Sequence, residues 1–390
     1  MTKTAFFGDS VGWAVYAIDL TNDPMSVVKA IPTGLGPYPV DRVAPDTLFG
    51  VTRGERSVEW IDLASLTRLG AIPLAHKPRS ATGNGRGLAI ISGADQPRTS
   101  VLDLAARRVR LVVGDEVTDR VEDFGGSLAS GHEAWLPDAG SGAQRFFLVD
   151  RVRRRLAVFR YPDGMRLWSI NTPTSVHHLV QDRTDKTLWY ALCEGSQKGR
   201  LPPSILAIRE AGESAFEVVA HVHLPVGRAD LPRAGAHHVD EDPNHGHLYV
   251  GSNEGFMYVL DKRNLTGDAL VAKIPTGSGC GHTRFTTFDS RTHAVVINHL
   301  AQHVTVIDAD RTCKLGDIQV TSSVPATVDD KTQGHTTKVY DDQPSRFYMM
   351  ASMDAVLREL DLRSMCVARS VQVRQPAGNV KPVLMQGIFV

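Results

Sequence analysis

The chain is poor in cysteine and carries no net charge. Its four cysteines, Cys193, Cys280, Cys313 and Cys366, show no paired spacing in 390 residues. That excludes a disulfide framework and any Cys-x-x-Cys metal or haem-attachment motif. Free thiols suit a reducing compartment. Lys+Arg and Asp+Glu both number 43, so no bulk charge draws the chain to nucleic acid or a membrane surface. The one basic cluster, Arg151 to Arg155, reads as a solvated hairpin turn. No run is long and apolar enough to span a bilayer, and the first residues reach Asp9 before an apolar run forms. The expected location is therefore cytoplasmic, or periplasmic if a leader has been removed. A Gly-x-Gly-x-x-Gly loop and a Gly-x-Ser-x-Gly elbow are also missing, which removes the common nucleotide and hydrolase signatures.

What is present is a repeat. Eight β-like runs, at residues 15–20, 58–63, 99–104, 156–160, 205–209, 257–261, 304–308 and 357–361, each end in an apolar-charged pair. From Asp19 the end markers Asp62, Asp103, Arg160, Arg209, Asp261, Asp308 and Asp361 follow at intervals of 41 to 57 residues. A period of this length with several short strands per unit predicts an all-β β-propeller of four-stranded antiparallel blades. We count eight blades, with seven as the alternative, in one domain over 1–390. With strands lettered a to d, the second unit spans 37–73 and the third 78–113. Later units begin near His132, Ser175, Ala236, His282 and His335. Residues 28–34 and 271–277 are near copies, as expected of equivalent outer strands. The first unit lacks an a strand, and residues 381–390 can supply it, closing the ring and removing exposed edges. Longer inserts fall at 114–130, 193–204, 227–234 and 322–333.

The runs at 44–63 and 247–261 resemble the YVTN-type propeller repeat family. The resemblance covers nearly the whole chain. It implies the fold and is almost silent on function, because propellers host enzymes, cofactor binders and interaction platforms.

Histidine is where function shows. A lone histidine at a strand start is ordinarily a polar cap. Here His132, His177, His178, His237, His238, His282 and His335 all fall at starts of a strands. In a propeller these positions surround one axis. Loops joining d to a and b to c share a face, so His299 belongs with them, as do Glu194, Asn253, Glu254, Asn298 and Asp354. His76 is a weaker candidate on the same rim. Three or four imidazoles converging on one point make a transition-metal site. Strand alternation sends only one member of each His-His pair inward, but a bulge would scramble this, so both members are retained. Lys338, Arg284 and Asp240 are the candidate catalytic groups. The first two would hold an anion or oxyanion. Asp240 and Glu133 would orient imidazoles. Cys280 reads as a small buried residue. His221, His223, His245, His247, His293 and His303 read as structural or solvent-exposed.

This placement resembles the multi-histidine metal propellers: nitrous oxide reductase and thiocyanate dehydrogenase with copper, carotenoid cleavage oxygenases with iron. The resemblance implies a metal-dependent oxidoreductase acting on a small molecule, with copper first, then iron, then zinc. Those families have seven blades, not eight. The alternatives are a metal- or haem-binding carrier or assembly protein without turnover, a His-based hydrolase or lyase, and an interaction platform. Neither nucleic acid nor membrane is an expected partner, and the oligomeric state is left open.

Overall fold

A computed structural model describes residues 3–44, 46–115, 128–137, 143–196, 201–225, 235–327, 330–375 and 383–390. Eight four-stranded antiparallel sheets form a β-propeller. Among the described residues there is no α-helix, only a single 3-10 turn at Lys262–Asn264. Among the described residues no helix is long and apolar enough to cross a membrane.

Blades 2 and 3 run Pro37–Ala44, Thr47–Thr52, Ser57–Asp62, Thr67–Pro73 and Pro78–Gly83, Leu88–Gly93, Arg98–Asp103, Arg108–Gly114. Blades 5 to 8 start their a strands at Val176–Gln181, Ala236–Glu241, Cys280–Phe288 and Gln333–Tyr340. Blade 4 departs from expectation: its a strand is only Trp135–Leu136, preceded by a bridge between Ser130 and Asp150. Blade 1 is completed by Leu384–Phe389, paired antiparallel with Thr4–Asp9. A Cβ on Gly387 would sit 2.0 Å from the Phe6 carbonyl oxygen, so only glycine allows this approach. The insert segments 116–127, 197–200, 226–234 and 328–329, and residues 381–382, lie outside the described residues.

The marker aspartates have a physical reason. Asp62, Asp103 and Asp308 end c strands and accept hydrogen bonds from Ser65 N, Ala106 N and Arg311 N at 2.7, 2.9 and 3.1 Å. Each caps a c–d turn whose last residue, Leu66, Arg107 or Thr312, has φ near +50°.

The core has no centre. Apolar side chains gather in eight clusters, one in each seam between adjacent blades. The seam of blades 4 and 5, for example, packs Phe147, Val149 and Val158 against Val176, Trp189 and Ala191. Burying one such large side chain stabilises by roughly 1.5–3 kcal/mol. The b and c strands are therefore apolar on both faces, as in Leu88–Gly93. Outer strands such as Arg108–Gly114 alternate. The axis is left to polar side chains.

Candidate metal centre

A shared irregularity builds the centre. In blades 2, 3, 5, 6, 7 and 8 the pairing of strands a and b shifts just after the first residue of strand a. This bulge breaks the inward-outward alternation, so two consecutive residues reach the channel. The first bulge position holds Tyr38, Arg79, His177, His237, Gly281 and Gly334. In blades 3 and 5 to 8 the second holds Ser80, His178, His238, His282 and His335. In blade 4, Gly131 and His132 follow the Ser130 bridge in the same order. The alternation expectation is thus corrected: both members of each His-His pair face inward. His177 lies against His237, with ring centroids 4.7 Å apart, and His178 stacks on His238 at 3.7 Å.

Four imidazoles converge most closely. Ligand atoms of His237, His282, His299 and His335, from blades 6, 7, 7 and 8, all lie within 4.8 Å of one another. Gly281 makes room. A Cβ there would meet His299 Nε2 at 2.7 Å and His237 Cδ2 at 3.0 Å. His299, the first residue after a b strand, thus fills the space that a side chain at the bulge would occupy.

Around this core, His238 lies 3.8 Å from His282, and His132 lies 5.4 Å from His177 between ring centroids. The His132 backbone N–H also donates to His177 O at 2.9 Å, tying blade 4 to blade 5.

The other ring nitrogens are anchored. His299 Nδ1 bonds Gln333 O at 2.9 Å, and His178 Nδ1 bonds Val239 O at 3.0 Å. His238 Nδ1 meets Asp240 Oδ2 at 3.2 Å, an oxygen that also accepts from Thr283 N at 2.8 Å. Carbonyl and carboxylate partners make Nδ1 the donor and leave Nε2 as the lone-pair nitrogen. His335 Nδ1 lies 3.3 Å from the Tyr38 hydroxyl. His282 Nε2 is buried with no hydrogen-bond partner among the described residues.

Burial first, then the repulsion a proton on one ring would meet from a proton on the next, and for His132 from Arg79, holds these rings neutral. His178 and His238 are lowered to about 3, and His132, His282 and His335 fall well below their ordinary value. Burial pushes Asp240 upward.

Other expected groups go elsewhere. Lys338 points its ammonium over the Tyr340 ring, 5.0 Å from the centroid. Arg284 donates to Thr337 O at 3.1 Å. Both are thus engaged with groups of blade 8, and Arg284 also faces Asp240. Both oxygens of Glu133 accept from Thr99 Oγ1 at 2.7 and 2.6 Å, so it orients no imidazole. His76 bonds Ser100 Oγ at 2.9 Å and is fully buried, outside the cluster. Cys280 and Cys193 are core thiols, each pushed up to about 12 by burial. All four cysteines are free.

Sequence reading missed Tyr38, Arg53, Arg79 and Arg151. Arg151, read as part of a solvated turn, is only 5% exposed and ion-pairs with Glu194. Glu194 Oε2 lies 3.4 Å from His177 Nδ1. The signal was positional. Tyr38 and Arg79 occupy the bulge offset of His177 and His237, and Arg53, Arg151 and Glu194 follow a b strand as His299 does.

No family model matches the chain, and no curated protein matches it by sequence. Solved structures match its shape. Apo AztD from Citrobacter koseri superposes with a TM-score of 0.64 at 13% identity, covering 100% of this chain and 98% of that one. The dihydro-haem d1 dehydrogenase NirN, in complex with DHE, gives 0.62 at 15% identity, covering 87% of this chain and 66% of that one. Kuenenia stuttgartiensis hydrazine synthase gives 0.54 at 16% identity, covering 78% and 92%. At these identities the likeness is one of fold.

Proposed function

We propose that the protein binds a transition-metal ion on the propeller axis through His237, His282, His299 and His335, and uses it in redox chemistry on a small molecule. The observation that carries this is the convergence of four imidazoles within 4.8 Å, including a buried His282 Nε2 with no hydrogen-bond partner among the described residues. The donor set fits. Burial keeps His282 and His335 in the neutral form that ligates, and an all-imidazole set suits copper, iron or zinc. Copper remains first and iron second for a redox role. A bound ion of this kind supplies a one-electron couple or Lewis acidity.

The surrounding residues hold the ligands in place. Gln333 O fixes the His299 tautomer. Asp240 is a positioning residue, orienting His238, which packs on His282. His132, His177 and His178 line the adjoining channel and exclude bulk water from its wall.

A second reading, carriage without turnover, is favoured by the count of ligands: four protein nitrogens close a tetrahedral ion completely. The packing of imidazoles across the axis disfavours a haem macrocycle there, although NirN, which shares the fold over 66% of its chain, is a complex with DHE.

Elemental analysis with a visible spectrum of the purified protein tests the proposal. Copper or iron near one per chain, lost in His282→Ala and His335→Ala, is the expected result. A spectrum that responds to small oxidants or reductants supports turnover. Metal that leaves readily to a chelator and shows no such response supports carriage. No metal, and none taken up on titration, overturns both.

A further inference from the structure

The wall facing the histidines carries buried cationic charge that forms no ion pair among the described residues. Arg79 is 3% exposed. Its guanidinium donates to a neutral acceptor, Ser130 O, at 2.5 Å. Arg53 donates to the Arg79 carbonyl at 2.7 Å, and its guanidinium carbon lies 3.9 Å over the Tyr38 ring. Arg53 Nε is buried without a hydrogen-bond partner. Among the described residues no carboxylate ion-pairs with either arginine. Two acids face Arg79. Glu194 is engaged by Arg151 and His177. Glu133 is held by Thr99 and raised to about 8 by burial. The cost shows on Arg79 itself, which burial, then Arg151 and Arg53, lowers to about 9. A buried charge without a counter-charge costs several kcal/mol, so such a pair persists where an anion completes it.

We propose that Arg53 and Arg79, with the Tyr38 hydroxyl, form a subsite for a small monovalent anion, a carboxylate or oxyanion, on the wall of the channel opposite the histidine centre. Guanidinium groups match the two oxygens of such an anion. The subsite reaches the centre through Tyr38, whose hydroxyl meets His335 Nδ1 at 3.3 Å. This deepens the reading above by naming a ligand class. It rests on that reading only for what the anion does beside a metal.

The test is calorimetric titration of the full-length, metal-free protein with sodium formate at fixed ionic strength, with metal content measured on separate aliquots. Saturable binding of one formate per chain is expected, weakened tenfold or more in Arg53→Gln and Arg79→Gln, as loss of a charged hydrogen bond implies. Arg53→Lys and Tyr38→Phe are milder changes that keep the test sound if Arg79→Gln does not fold. Each should weaken binding by roughly three- to tenfold, and Arg53→Lys, which touches no metal ligand, should leave metal uptake intact. No saturable binding to the wild type overturns the proposal. So does equal affinity across the variants, or binding that needs metal and ignores the arginines. Arginine-dependent formate binding in a protein that takes up no metal upholds the subsite and refutes the metal centre alone.

Discussion

Blades 2 and 3 and blades 5 to 8 share one backbone device and use it for opposite chemistry. In both regions the a strand bulges after its first residue and turns side chains toward the axis. Blades 5 to 8 place neutral imidazoles there. Blades 2 and 3 place Tyr38 and Arg79, with Arg53 arriving from a b–c turn as His299 does on the other side. The fold decides where a side chain points, and the residue decides whether that point accepts a cation or an anion. A channel with lone pairs on one wall and guanidinium groups on the other can hold both members of an ion pair.

Removing a donor from one wall gives the largest expected break. His282→Ala should abolish stoichiometric metal binding, measured by elemental analysis, while Arg79→Gln leaves metal content unchanged. Loss of metal in both would show that the two walls act as one site.

Acid separates the walls next. In the native chain His178 and His238 titrate at about 3, whereas an unfolded imidazole titrates near 6.5. Below that value the unfolded chain takes up protons that the native chain refuses. The stability of the metal-free protein should therefore fall as pH drops from about 6.5 toward 3, and be flat with respect to these groups above 6.5. Arg79, at about 9, stays charged throughout. Denaturation midpoints across pH will show the slope, and His178→Gln with His238→Gln should reduce it, the remainder coming from His132, His282 and His335.

Gly281→Ala sharpens the comparison at a single methyl group. The added Cβ meets His299 Nε2 at 2.7 Å. The expected cost is about 1–3 kcal/mol of stability together with weaker metal binding, read by melting and by competition with a chelator. An unaltered metal affinity would show that His299 is dispensable.

Asp240→Asn should weaken metal binding by about 10–100-fold if His238 supports the centre, with little loss of stability. The smallest effect is expected for Tyr38→Phe. It removes one hydrogen bond to His335, a change of about 1 kcal/mol, visible as a small shift in the melting temperature of the metal-free protein.

Much of the architecture could be read from the chain because its markers are tied to local chemistry. Asp62, Asp103 and Asp308 recur because a carboxylate there caps the c–d turn, so with the equivalent Arg160 and Arg209 their spacing counted the blades. The histidines at strand starts were legible for the same reason: a propeller puts every such start at the axis. The bulges could be allowed for but not located, since pairing shifts leave no residue signature, so both His177 and His178 were retained without a choice between them. Arg79 was overlooked because a single arginine in Pro78–Gly83 looks like any strand charge. Only its offset from the strand start distinguishes it. Lys338 and Arg284 were read as anion holders from their place on a strands, and their partners here, the Tyr340 ring and Thr337 O, leave no sequence signature.

The seam between Thr4–Asp9 and Leu384–Phe389 sets the order in which the molecule can be made. Thr4–Asp9 leaves the ribosome hundreds of residues before Leu384–Phe389, and at about 5–20 residues per second the gap lasts tens of seconds. During that time Ala5, Phe6 and Phe7 have an open flank that any other extended chain could occupy. The strand Leu384–Phe389 is the latch that ends this exposure, and factors that shield nascent chains are most needed while Thr4–Asp9 waits for it.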